Sequence, residues 1–131
     1  MSELELFIKK MKEKYGEQVI VKESVCTEKV LNVLPQPLKE LYALYDEMEF
    51  PFGYIYSVKS ALDGENMFKN EGWFCFGFDG YFSYWLCKYE ADCDGLWITP
   101  WDHEMDDEKE CVYASIVEFL TDMEEEYAEN L

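Results

Sequence analysis

The segment from Trp73 to Cys87 constrains this chain more than any other, because two apolar runs, Trp73 to Phe78 and Tyr81 to Cys87, meet at Asp79-Gly80. Asp-Gly takes the positive backbone angles of a tight hairpin turn, so the spacing predicts two antiparallel strands. Both alternating faces of the first strand are apolar, with Trp73, Cys75 and Gly77 on one and Phe74, Phe76 and Phe78 on the other. A sheet covered by helices on one side normally turns polar residues to water on its second side. Loops or a partner must therefore cover part of the second face. Eleven aromatic residues lie between Trp73 and Trp101, with Tyr81, Tyr84, Trp85 and Tyr89 in one short run. Tyrosine and tryptophan join stiff apolar area to a polar tip and are enriched at protein interfaces. Ordinary core with loop cover is the competing reading for any single ring.

Helical periodicity flanks this extended region. Ser2 and Glu5 form a capping box, and Leu4, Phe7, Ile8, Met11 and Tyr15 fall on one stripe, predicting a helix over about residues 3 to 15 that Gly16 closes. Val19 to Val25 is β-branched without a settled state, and a helical turn follows around Thr27 to Val33. Pro35 and Pro37 start a second helix, whose buried stripe is Leu38, Leu41, Tyr42, Tyr45 and Met48. Phe52 to Tyr56, including Tyr54, reads as a strand, Val58 to Leu62 as a short helix or turn, and Leu96 to Trp101 as another strand. Asp102 to Glu110 is too acidic to pack and is expected to be a solvated loop, with Cys111 to Tyr113 a short edge strand. Ser115 and Glu118 repeat the capping box ahead of a last helix carrying Ile116, Phe119, Leu120, Met123 and Tyr127. Strands in the middle and helices at the ends, joined by hairpin-length connections, predict an α+β fold: a central antiparallel twisted sheet flanked by N-terminal and C-terminal helices, in one domain over residues 1 to 131.

Charge narrows the partners. Against 29 acidic residues stand 11 basic ones, all lysine, for a net charge of −18. Residues 1 to 50 hold ten acids and seven lysines, whereas residues 89 to 131 hold fifteen acids and only Lys109. Such a field repels nucleic acid and anionic membrane and attracts a basic protein. The amino terminus, Met1-Ser2-Glu3-Leu4-Glu5, lacks the basic start and apolar centre of a signal peptide, and no run of about eighteen apolar residues occurs. A cytoplasmic location follows as an expectation. Five irregularly spaced cysteines, with no Cys-x-x-Cys pair, agree with reduced and mostly buried thiols.

Little in the sequence supports catalysis. Glu90-x-Asp92-x-Asp94-Gly95 resembles the first half of a calcium loop, but Trp101 stands where the bidentate carboxylate is required, which leaves a plain turn. Trp101-Asp102-His103-Glu104 places the only histidine between two carboxylates, an arrangement that favours the imidazolium and could serve an acid/base pair or a metal. A catalytic zinc needs three protein ligands, and no second histidine exists. Neither Gly-x-Ser-x-Gly nor a glycine-rich phosphate loop is present. The expectation is a non-enzymatic protein without metal or cofactor.

Taken in order, the helix opened by Leu34-Pro35 and continuing through Leu38-Lys39-Glu40-Leu41-Tyr42, the sheet, Trp101-Asp102-His103-Glu104 and Ala114-Ser115-Ile116-Val117-Glu118-Phe119-Leu120 resemble the SUKH superfamily. That superfamily contains bacterial toxin-immunity proteins, the Syd protein and yeast cell-wall-assembly regulators. The resemblance spans about Val19 to Leu120. Members often carry Asn-Gly-Gly after the proline-led helix, where this chain has Glu49-Phe50-Pro51-Phe52-Gly53. The resemblance implies an α+β domain that binds and neutralises a cognate toxin domain, frequently a nuclease, and its Asp-His-Glu strand end maps onto Asp102, His103 and Glu104. The expected partner-binding residues are Tyr54, Asp79, Tyr81, Tyr84, Trp97, Trp101, Asp102, His103, Glu104, Asp106 and Asp107, on a monomer or weak dimer. The alternatives are a scaffold or regulatory module of the same fold with no toxin partner, and a hydrolase or metal enzyme centred on His103.

Overall fold

A computed structural model describes residues 1–63, 68–105 and 108–131. Among them the chain runs through α1 (Glu3–Tyr15), β1 (Ile20–Glu23), α2 (Glu28–Leu31), α3 (Gln36–Leu44), β2 (Tyr45–Phe50), β3 (Gly53–Ile55), α4 (Val58–Asp63), β4 (Trp73–Phe78), β5 (Ser83–Lys88), β6 (Ile98–Asp102) and α5 (Ile116–Glu129). All six strands form one antiparallel sheet in chain order, β1 to β6. The fold is α+β, as expected. No helix among the described residues is long and apolar enough to cross a membrane.

The helix starts follow their sequence signals. Ser2 Oγ accepts from Glu5 N–H at 3.2 Å while Glu5 Oε1 accepts from Ser2 N–H at 3.1 Å, completing the capping box of α1. At α5, Ser115 Oγ accepts from Glu118 N–H at 3.2 Å, but the Glu118 carboxylate reaches Ala114 N–H rather than that of Ser115. α1, α3 and α5 bury Leu4, Phe7, Ile8, Leu38, Leu41, Tyr42, Ile116, Phe119 and Leu120 against Met48, Ile55, Phe74, Phe76, Trp85, Cys87 and Ile98 of the sheet. Each such Leu, Ile or Phe contributes about 1.5–3 kcal/mol relative to exposure, so this face carries most of the apolar stabilisation. Tyr42 is fully buried, and its hydroxyl donates to Tyr56 O at 2.8 Å.

Four expectations need correction. The second helix does not reach Met48: it ends at Leu44, Tyr45 turns extended (φ −136°, ψ 166°), and Tyr45–Phe50 becomes strand β2. Met48 and Phe50 are buried while Glu49 is exposed, so the segment alternates with period two, and the three-residue step from Tyr45 to Met48 only imitates a helical stripe. β1 likewise lies between α1 and α2, so strands are not confined to the middle of the chain. The hairpin turn is not the two-residue Asp-Gly type either, because β5 starts at Ser83. A four-residue loop, Asp79 to Phe82, is closed by Asp79 N–H donating to Ser83 O at 3.0 Å, and Asp79 Oδ1 accepts from the N–H groups of Tyr81, Phe82 and Ser83 at 2.7, 3.1 and 3.1 Å.

The fourth correction concerns the faces of β4. Its pairing with β5 shifts between Cys75 (opposite Leu86) and Gly77 (opposite Trp85), a β-bulge at Phe76. Beyond the bulge, Gly77 joins Phe74 and Phe76 on the helix face, and Phe78 joins Trp73 and Cys75 on the other. Strict alternation had placed Gly77 and Phe78 the other way round. The fully buried Trp85 indole needs this arrangement. A Cβ at Gly77 would lie 2.7 Å from Trp85 Cε3 and 2.5 Å from Tyr54 O, and one at Gly53 would lie 2.2 Å from Trp85 Cζ2 and Cη2. The two glycines leave the space that the indole fills.

Candidate functional site

The helix-free face of the sheet carries two kinds of surface. Trp73, Cys75 and Leu86 form a small buried cluster beneath Phe68, with Tyr56, Tyr84, Trp101 and Cys111 packed at its margin. The cover for the second apolar face thus comes from within the chain. Beside this cluster, the strand register sets one row of outward residues across all six strands: Ile20 opposite Glu49, Glu49 opposite Tyr54, Tyr54 opposite Phe78, Phe78 opposite Tyr84 and Tyr84 opposite Trp101. Tyr54, Phe78, Tyr84 and Trp101 are each half-buried, and Ile20 and Glu49 are exposed. Directly opposed residues of an antiparallel pair stand about 5 Å apart, so these residues form a cross-strand ladder, in which Tyr84 and Trp101 each also meet the Phe68 ring. The Phe78 and Tyr84 ring centroids are 5.4 Å apart.

The loop Asp79 to Phe82 rises at the Trp101 end of this ladder. Tyr81 and Phe82 are exposed at its tip, at 76% and 49%. His103 fixes the loop to the end of β6: its backbone N–H donates to Phe82 O at 3.1 Å and its Nδ1 approaches the same carbonyl at 2.5 Å. A carbonyl oxygen only accepts, so Nδ1 carries the proton. The exposed imidazole lies 5.3 Å from the Tyr84 ring, tilted by 54°. Met105, two residues beyond His103, is 65% exposed. Among the carboxylates, Asp102 Oδ1 accepts from Glu104 N–H at 2.9 Å, Glu104 itself is exposed, and Glu47 accepts from the Tyr54 hydroxyl and from Lys22 Nζ. Burial, reinforced by Glu47, pushes the Tyr54 phenol well above its ordinary value, so it stays a neutral donor. Hydrogen bonds from Lys22 and then Tyr54 hold Glu47 below the usual carboxylate range, as an anion.

Tyr54, Asp79, Tyr81, Tyr84, Trp101, Asp102, His103 and Glu104 therefore share one end of the sheet and its ladder. Trp97 does not join them. It precedes β6 at the opposite end, donating its N–H to Tyr113 O, and lines a separate 280 Å³ groove with Glu3, Glu40 and Val117. Asp106 and Asp107 lie outside the described residues. Sequence reasoning missed Phe78, which strict alternation had grouped with Phe74 and Phe76, and Glu47 and Glu49, which the helical reading of Met48 had concealed. Opposite residues can be paired only once the bulge is known.

The other sequence constellations resolve into backbone chemistry. Asp92 Oδ1 accepts from the N–H groups of Asp94 and Leu96, both at 2.9 Å, so the calcium-like segment is a turn. Among the described residues no group of three or more His, Cys, Asp or Glu side chains is placed to hold a metal ion. The Asp102 carboxylate turns to its own chain rather than to the imidazole, so no Asp–His dyad is formed on that side of the ring.

Lys109 departs from the solvated loop expected for Asp102 to Glu110. Its ammonium lies 4.0 Å from the Trp101 ring centroid and 5.1 Å from that of Phe68, and pairs with Glu71 Oε1 at 3.1 Å. The side chain is only 13% exposed, while Glu108 and Glu110 on either side face water.

No protein-family model matches this chain, and comparison with curated proteins gives no significant match.

Proposed function

We propose that the aromatic ladder and its loop form the contact surface for a basic protein, and that this partner is a toxin domain which the chain binds and neutralises in the cytoplasm. The observation carrying this reading is the row Tyr54, Phe78, Tyr84 and Trp101, half-exposed on one sheet face and ending at exposed Tyr81, Phe82 and Met105 among carboxylates. Rigid rings held by strand pairing lose little entropy on binding, and exposed acids steer a positively charged partner toward them. Resemblance to the SUKH superfamily supplies the toxin, and an acidic face suits the basic substrate groove of a nuclease. Five free cysteines agree with a reducing compartment.

Co-expression with the product of an adjacent gene, followed by co-purification and measurement of the association rate, tests this reading. The complex should survive purification, and raising salt from about 0.05 to 0.5 M should slow association at least about tenfold. Glu104→Lys should slow it further, and Tyr81→Ala should mainly speed dissociation. A complex indifferent to salt and to both substitutions overturns the assignment of the surface. Loss of protection on His103→Ala, with binding retained, would instead favour chemistry at the imidazole.

A further inference from the structure

Lysines ordinarily cover apolar surface with their stems and keep the ammonium in water. Lys109 does the reverse: it is the only lysine or arginine in residues 89 to 131, and its ammonium is tucked against two rings with the Glu71 carboxylate 3.1 Å away. The Phe68 and Trp101 ring centroids are 5.4 Å apart at 76°, so the rings form two perpendicular walls, and Tyr84 extends the Phe68 side at 5.8 Å. Glu71, whose side chain is 55% exposed, supplies the anion at the rim. Two ring walls and a carboxylate are the elements by which proteins recognise alkylammonium groups.

We infer that the Phe68–Trp101 pocket is an ammonium-binding subsite, held in the free protein by Lys109, which accepts a lysine side chain of the basic partner when Lys109 withdraws. Trp101 is both a wall of this pocket and the last rung of the outward ladder, so the subsite is continuous with the proposed contact surface. Exchanging one ammonium for another leaves no buried charge unpaired, and the withdrawn Lys109 has Glu108 and Glu110 beside it in the chain. The pocket would then serve as a register point, engaged by a partner that presents a lysine at the right place. The inference rests on the proposed function only for the source of the incoming lysine.

The test needs no partner. In the whole chain, Lys109→Gln removes the resident ammonium, and N-acetyl-lysine-methylamide is titrated while the Trp101 indole N–H is followed by NMR. The variant should bind this probe at least about tenfold more tightly than the unaltered protein. N-acetyl-norleucine-methylamide, which lacks the charge, should not bind detectably. Adding Glu71→Gln should weaken the lysine probe several-fold, and adding Trp101→Leu should abolish binding. If the tryptophan variant fails to fold by circular dichroism, the rim variant decides. Equal binding by the unaltered and Lys109→Gln proteins, equal binding of the uncharged probe, or indifference to Glu71→Gln overturns the inference. Much tighter binding of spermine or tetramethylammonium than of the lysine probe overturns the protein-lysine assignment in favour of a free amine. Probe binding without any basic protein partner would leave the subsite standing while the proposed function falls, and the converse result would separate them the other way.

Discussion

The two faces of this sheet are built from similar residues and held in different ways. On one, three helices bury Phe74, Phe76, Trp85, Cys87 and Ile98 under Leu38, Leu41, Phe119 and Leu120. On the other, Trp73, Cys75 and Leu86 are covered by Phe68, with Lys109 seated on the margin, and the remaining rings stay half in water. Apolar strand residues therefore do not by themselves mark core. What lies over them decides whether they are sealed in core or stay half in water.

The largest effects should fall on the helix side. Phe119 is fully buried and its ring meets Phe76, Trp85 and Tyr113 at 5.8, 5.1 and 5.4 Å, so Phe119→Ala should cost about 4 kcal/mol in chemical denaturation. Phe68→Ala should cost about half as much, because a thin cover collapses more readily than a three-helix layer. Equal losses would mean that the two faces are one cooperative core, and the contrast would fail. Gly77→Ala should cost about 3 kcal/mol, since the added methyl meets both Trp85 and the Tyr54 carbonyl, which is backbone and cannot step aside.

A kinetic measurement sharpens the same contrast. Cys75 and Cys87 sit on opposite faces of the sheet, and burial raises both thiols, Cys75 to about 11 and Cys87 further. Under native conditions exposed Cys93 should react with a thiol reagent first, and Cys75 should become reactive well before Cys87, because opening the thin cover takes less free energy than opening the helix layer. The reverse order would place the weaker layer on the helix side.

The smallest effect concerns acid. Glu124, buried on α5, accepts from Lys14 Nζ at 2.5 Å and from the Tyr15 hydroxyl at 2.7 Å. Burial raises its carboxyl, but these bonds outweigh it and leave the group below the ordinary 4.5. A carboxylate lowered by folding adds stability above its unfolded value and loses it as pH falls through the folded one. Between about pH 5 and pH 3, Glu124→Gln should lose stability less steeply than the unaltered protein, as followed by denaturant midpoints.

Much of this architecture was legible in the chain. Ser2 and Glu5 announced α1, Ser115 announced α5, and the runs Trp73 to Phe78 and Tyr81 to Cys87 announced the central hairpin. Two things were hidden. A three-residue apolar step fits helix and strand alike, so β2 was read as helix, and that reading concealed Glu47 and Glu49. A bulge adds one residue to a ladder without any mark in the sequence, so Phe78 was assigned to the wrong face. The pocket around Lys109 was illegible for another reason: it joins Phe68, Glu71, Trp101 and Lys109 across long separations, and a lone lysine in an acidic run reads as solvated.

The loop at the end of the ladder closes through Asp79 and backbone groups alone, and the side chains of Tyr81 and Phe82 take no part in its closure. Any residue with an N–H can therefore stand at either position while the scaffold beneath is undisturbed. Such a tip can vary in sequence at these two positions without loss of the turn that carries it.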